Sequence, residues 1–434
     1  MSARGQGDER SESAEGAATF GPNEVATLFE PAESYGPFDK GLWVTESDRL
    51  SPEALRGGEL GLFSGPFTYP VMVARQSVLT ANIATMSAYT QRHGVLFAPH
   101  GKTSMSPTLF ADQLAAGAWG ITVATANQAL AARTFGVPRV FLANELLDGR
   151  ALRWAAEQSA QGWEFVFYVD SLEGVEAAAQ AAAAVPGGRL DVLVELGRPG
   201  GRTGCRSVAQ AADLARSAAA RPGLSVVGAA GYEGGLPDAD AVSAWLRDLA
   251  SLGDAVADLV PSGRLPIVSA GGSAWFDAVV DVLGPLRDRR QVILRSGAYV
   301  SHDDGFYSRA TPFRRHPEEG GLVGGLEVWA QVLSAPEPGL AVLGAGRRDV
   351  PFDIDLPTPL EVRGTDGVLR PAGDAAVVKL DDQHAYVETR GTALTPGEVV
   401  RLGISHPCTA FDKWRVIPVV DDEHRVVDVL RTYF

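Results

Sequence analysis

The chain has 434 residues, 45% of them hydrophobic and 21% charged, with a formal net charge of −15. That length accommodates a large barrel plus a smaller domain, and the acidic balance excludes the clustered basic surface that a nucleic-acid partner requires. With no apolar run of 18 residues in the sequence, no segment is expected to span a membrane.

The chain opens with MSARGQGDERSESAEGAATFG, polar, acidic and without the apolar stretch of a secretion signal. Residues 1–20 therefore read as a disordered tail. Cys205 and Cys408 read as reduced thiols of a cytoplasmic protein. Residues 21–90 form an N-terminal segment whose PVMVA stretch is expected to join a later β domain, ahead of a helix from Val78. From 91 to 310 short apolar runs alternate with alanine-rich helical stretches. The predicted strands are Val95–Pro99, Ile121–Thr125, Val140–Ala143, Phe165–Asp170, Val192–Leu196, Val226–Tyr232, Ile267–Gly271 and Val292–Gly297. Between them lie helical patterns such as SPTLFADQLAAG, ANQALAARTFG and SVAQAADLARSAAA. Eight near-continuous apolar strands, each followed by a helix, predict an α/β fold of the (β/α)8 barrel type rather than a doubly wound sheet. Over 311–434 the helical period fades, and runs such as LEVWAQVLSA, AAVVKL, VVRLGI and RVVDVLRTYF, separated by Gly, Pro and Asp, predict an all-β domain.

Barrel chemistry sits at the C-terminal ends of the strands. The first strand ends in APHGKT, placing His100 and Lys102 there. An isolated lysine at a strand end is by default a solvated loop residue; desolvated, it is an amine able to form a Schiff base. Strand five ends in ELGRPGGRTG with Arg202, strand six in GYEGG with Tyr232, and strand seven in SAGGS with Gly271, Gly272 and Ser273. Strand eight runs into RSGAYVSHDD with Tyr299 and Asp303. Glycine amides after strand seven suit a phosphate, and lysine plus phosphate nest is what pyridoxal 5'-phosphate needs. In the β domain, SHPCTAFDKW places His406 and Cys408 two residues apart, on one face of an extended segment. A histidine and a thiolate suit zinc, with His384 or an exogenous oxygen completing the sphere; the plainer account is a buried cysteine beside a turn histidine. GRPGGRTG lacks the lysine of a P-loop, and GAGRR lacks the dinucleotide fingerprint.

Taken in order, APHGKT, GRTG, GYEG, SAGGS, RSGAYVSHD, DDQHAYVE and SHPCTAFDKW resemble the D-serine dehydratase/D-threonine aldolase family, the alanine-racemase-like fold type III pyridoxal-phosphate enzymes. The resemblance runs from about Pro70 to Phe434 and is strongest toward the amino acid deaminase members. It implies that Lys102 is the Schiff-base lysine. Gly271, Gly272 and Ser273 would hold the phosphate, with His100, Arg202, Tyr232 and Tyr299 near the cofactor. His406 and Cys408 would be the metal pair, with His384 and Asp303 close to substrate or metal. In the family, His-x-Cys accompanies zinc and dehydration, whereas His-x-Asp accompanies aldolases. The implied activity is therefore a zinc-dependent dehydratase (deaminase) releasing a 2-oxo acid and ammonia from a D-serine-like D-3-hydroxy amino acid. The alternatives are a D-threonine-type aldolase, a D-amino acid racemase, or a non-catalytic pyridoxal-phosphate-binding protein. A homodimer is implied as well. The sequence departs from the family at Ala98, at Ser104-Met105, at Gly235 and at the Asp382-Gln383 pair before His384.

Overall fold

The computed structural model describes residues 34–434. The expected tail over 1–20 and the start of the 21–90 segment lie outside the described residues. Two sheets organise the chain. The first contains eight parallel strands: β2 (Leu96–Phe97), β3 (Ile121–Val123), β4 (Arg139–Glu145), β5 (Glu164–Val169), β6 (Leu190–Leu196), β7 (Leu224–Gly231), β8 (Ile267–Ser269) and β9 (Gln291–Leu294). Their spatial order is β2-β9-β8-β7-β6-β5-β4-β3, and a parallel bridge between His100 and Thr122 joins its two ends. Helices follow the strands in alternation, as the alanine-rich stretches require: Pro107–Ala115, Ala126–Thr134, Gly149–Ala160, Leu172–Ala183, Val208–Ala219, Ala239–Ala255 and Phe276–Leu283. Ser171, Ser207 and Asp238 cap their helices by accepting a backbone N–H.

The α/β barrel is thus present, and its strand ends are more varied than the apolar runs suggest. Pro99 withholds a ladder donor, and β2 is only two residues long. Strands β4, β6 and β7 extend to seven or eight residues. Inside the ring, Ala98, Phe141, Val166, Tyr168, Leu193, Val227, Ala230, Ile267 and Ile293 form a separate apolar cluster, as a filled barrel requires.

The second sheet has ten strands. Its main path is β13 (Leu369–Pro371), β12 (Thr358–Arg363), β16 (Val399–Gly403), β10 (Leu326–Glu337), β1 (Val71–Arg75), β17 (Val416–Val420) and β18 (Val426–Arg431). β11 (Leu340–Leu343), β14 (Ala376–Leu380) and β15 (Ala385–Glu388) branch from β10. The PVMVA stretch is β1, antiparallel to β10 and parallel to β17. The helix Gln76–His93 begins directly after it, two residues before Val78, and leads into the barrel.

Candidate active site

β2 ends where Pro99 breaks the ladder, and a single 3-10 turn, Gly101–Thr103, follows. Gly101 has no room for a side chain: a Cβ there would lie 2.5 Å from Phe110 Cζ and 2.7 Å from Ile121 Cγ2. That close approach holds the turn against the barrel, and Lys102 lines a cavity of about 290 Å³ at the strand ends, near the lower end of small-molecule sites. His100, Thr103, Tyr168, Arg202, Tyr232, Gly271, Gly272, Ser273, Arg295, Ser296, Gly297, Tyr307, His406 and Cys408 share its wall. Lys102, from the first barrel strand, and Cys408, 306 residues later, therefore meet in one pocket.

Burial pushes the Lys102 amine below its ordinary range; Cys408 opposes this, while Arg202 and Arg295 reinforce it. Desolvation, Lys102 and the arginines hold His100 well below the usual imidazole range, and its Nδ1 is a buried atom without a partner. Arg295 is 5% exposed; it donates to Ser269 Oγ and, at 2.6 Å, to the Gly231 carbonyl, and lies over the Phe141 ring. Arg202 sits over the Tyr232 ring at 4.7 Å.

The His406–Cys408 loop is held by two aspartates. Asp303, 1% exposed, accepts from the backbone N–H groups of Gly305, Ser308 and His406. These bonds stabilise His406 at φ 60°, a left-handed conformation that non-glycine residues adopt only when their surroundings impose it. Asp353 accepts from His406 Nδ1 at 2.5 Å and from Thr409 Oγ1 at 2.8 Å. A carboxylate on Nδ1 leaves Nε2 as the atom available to an ion. A hydrogen bond with Cys408, helped by Asp353, raises the His406 imidazole to about 9 against the effect of burial. Cys408 Sγ is 3.3 Å from Thr103 Oγ1, which ties the pair to the lysine turn.

Three expected cofactor or metal neighbours stand elsewhere. Tyr299 is 2% exposed, takes a hydrogen bond from Gln113 on its hydroxyl and packs edge-on against Phe97, outside the pocket wall. It lies in the 3-10 turn Ala298–Val300 and belongs to the apolar core that includes Phe97 and Phe110. His384 lies exposed in the turn between β14 and β15 and is not among the residues of the pocket wall. Asp303 spends its oxygens on backbone amides, so it shapes the loop rather than facing the pocket. The glycine nest is also differently used. Glu233, 0% exposed, accepts from the N–H groups of Gly271, at 3.0 Å, and Gly272. Those two amides are already engaged by the Glu233 side chain, while Ser273, Ser296, Gly297 and Ala298 also line the wall. There Gly297 allows the chain to pack against the lysine turn, since a Cβ would come within 2.6 Å of the His100 carbonyl oxygen.

Sequence reasoning did not assign roles to Tyr168, Arg295, Tyr307, Glu233 or Asp353. Glu233 and Arg295 stood at expected strand ends, so position alone could have raised them. Asp353 carries no local signal, being 53 residues from its partner. The wall suits pyridoxal phosphate on two observations: an amine of lowered basicity and the orphaned His100 Nδ1. His406 and Cys408 are a donor set suited to zinc.

The sequence profile of the alanine racemase N-terminal domain matches residues 75–278, and that of a putative serine dehydratase domain matches 325–420. The chain is 27% identical over 364 residues to the D-threonine aldolase of an Arthrobacter species, covering 81% of this chain and 89% of the relative. It is 35% identical over 138 residues to the D-threo-3-hydroxyaspartate dehydratase of Delftia sp. (strain HT23), covering 31% of this chain and 35% of that one. Among solved structures, the D-threonine aldolase from Filomicrobium marinum superposes with a TM-score of 0.71 at 23% identity, over 84% of this chain and 94% of that one. D-threo-3-hydroxyaspartate dehydratase superposes with a TM-score of 0.64 at 21% identity, over 84% and 97%, as a variant with one cysteine replaced by alanine, in a metal-free form.

Proposed function

For a chain that belongs to the D-serine dehydratase/D-threonine aldolase family of alanine-racemase-like, pyridoxal-phosphate-dependent lyases, we propose a zinc-dependent dehydratase that converts a D-3-hydroxy amino acid of the D-serine type to a 2-oxo acid and ammonia. The observation that carries this reading is the meeting of Lys102 with the His406–Cys408 pair in one pocket. Pyridoxal phosphate, when bound, supplies an aldehyde for the lysine and an electron-withdrawing ring for the carbon that loses its proton. Ser273 and the Ser296–Ala298 amides would hold its phosphate, and His100, Arg202 and Tyr232 would border it.

Burial lowers the basicity of Lys102, which favours Nζ as the group that takes the α-proton of the substrate. His406 Nε2 and Cys408 Sγ would hold zinc, which supplies Lewis acidity toward the departing β-hydroxyl. A sulfur ligand favours zinc over harder ions. Asp353 fixes the imidazole from behind and Asp303 fixes its backbone. Tyr307 lines the same wall, and burial keeps its phenol protonated, so it can donate to the substrate. The dehydratase relative, with a cysteine variant described as metal-free, supports this reading.

A second reading is aldol cleavage to glycine and an aldehyde, favoured by the likeness to D-threonine aldolase over 81% of this chain. The experiment is product analysis on D- and L-3-hydroxy amino acids with and without a zinc chelator. The dehydratase reading expects chelator-sensitive 2-oxo acid and ammonia from D-isomers alone. Glycine and aldehyde would replace it with the aldolase.

A further inference from the structure

Three carboxylates stand together outside the wall of the lysine pocket. Glu145 ends β4, Asp170 follows the last residue of β5, and Glu195 is the penultimate residue of β6. These strands are parallel neighbours, and Tyr168 pairs in register with Glu145 on one side and Leu193 on the other. Side chains alternate along a strand, so Asp170 shares the inner face of Tyr168, and Glu195 that of Leu193. One oxygen from each acid lies within 4.8 Å of the other two.

The charge of this group has no visible counterpart. Both oxygens of Glu145 and Oε2 of Glu195 are buried without a hydrogen-bond partner, as is the Tyr168 hydroxyl between their strands. Glu195 is 3% exposed and Tyr168 1%. Among the described residues, no lysine or arginine forms an ion pair with any of the three; Arg202, on the loop after β6, rests on the Tyr232 ring instead. Asp170 Oδ2 receives one backbone bond, from Gly204. Burial, Glu195 and Asp170 together push the Glu145 carboxyl up to about 9. Like charges this close require either a bound proton or a bound cation.

We propose that Glu145, Asp170 and Glu195 form a second metal centre, an all-oxygen site for a hard divalent cation such as manganese, magnesium or calcium. Ligand oxygens around such an ion stand no farther apart than about twice the bond length, roughly 4–5 Å, and the three acids can each place an oxygen within 4.8 Å of the other two. No sulfur or imidazole enters the set, so it complements the softer His406–Cys408 pair. The ion ties together the ends of β4, β5 and β6 beside Tyr168, which faces the pocket.

The test titrates manganese into the cofactor-loaded, chelator-treated full chain carrying Cys408→Ala, read by electron paramagnetic resonance. One ion per chain is expected, displaced by calcium. Glu195→Gln and Asp170→Asn, each added to that background, are expected to weaken binding at least tenfold. Melting temperatures check that both still fold, and either one that folds decides the matter. Absence of bound manganese with Cys408→Ala, or unchanged binding in a folded carboxylate variant, overturns the site. The outcome is a count of ions, independent of which products the enzyme releases.

Discussion

Gly101 determines where the lysine goes. Its missing side chain lets the turn press on Phe110 and Ile121, both 0% exposed, and this contact carries Lys102 over the barrel mouth. Gly101→Ala has to displace the Phe110 ring, an overpacking cost of about 1–3 kcal/mol. A lower melting temperature and weaker cofactor capture, followed by absorbance, are the expected results. An unchanged variant would mean that the turn has slack. His100, Lys102, Arg202 and Cys408 were legible in the sequence because each falls at a strand end or in a short motif. Glu233 was visible beside Tyr232, but its hold on the Gly271 and Gly272 amides was not, since it spans 38 residues.

At the scale of elements, the seam between barrel and β sheet turns on Asp304. It follows Asp303 in the loop after β9, and its carboxylate fills the space left by Gly324 and Gly403, whose Cβ atoms would each come within 2.6 Å of it. Burial and Asp303 raise its carboxyl to about 6, against Arg401. The folded state thus holds this proton more tightly than the unfolded chain. Its contribution is favourable at low pH and is lost as pH rises from about 4 through 6. Asp304→Asn is expected to flatten that part of the stability profile and to add about 1–3 kcal/mol at pH 8, measured by urea unfolding across pH. A variant with the wild-type slope would show that solvent or Arg401 already neutralises the charge.

Across the whole molecule, one apolar core runs from barrel residues such as Val123, Val194 and Val268 to β-sheet residues such as Val328, Val400 and Ile417. β1 sits between β10 and β17, and the helix after it belongs to the barrel side. A continuous core favours cooperative unfolding. Pyridoxal phosphate at a hundredfold excess over its Kd is expected to stabilise that single transition by about 2.7 kcal/mol. Lys102→Ala should lose most of the shift. Two separate transitions, only one of them responsive to cofactor, would show that the sheets unfold independently.

The sequence by itself determined the alternation of eight apolar runs with alanine-rich helices, the change to an all-β pattern after residue 310, and the positions of Lys102 and the His406–Cys408 pair. These are local quantities: the period of apolar residues reports which face is buried, and a break in a strand marks where a barrel presents its chemistry. Only the tertiary structure decided that Tyr299 turns toward Gln113, that His384 stays at an exposed turn, that Asp353 backs His406, and that three acids from separate strands converge. Those outcomes depend on which distant side chains share a cavity, and the pairing of groups through space leaves no period along the chain.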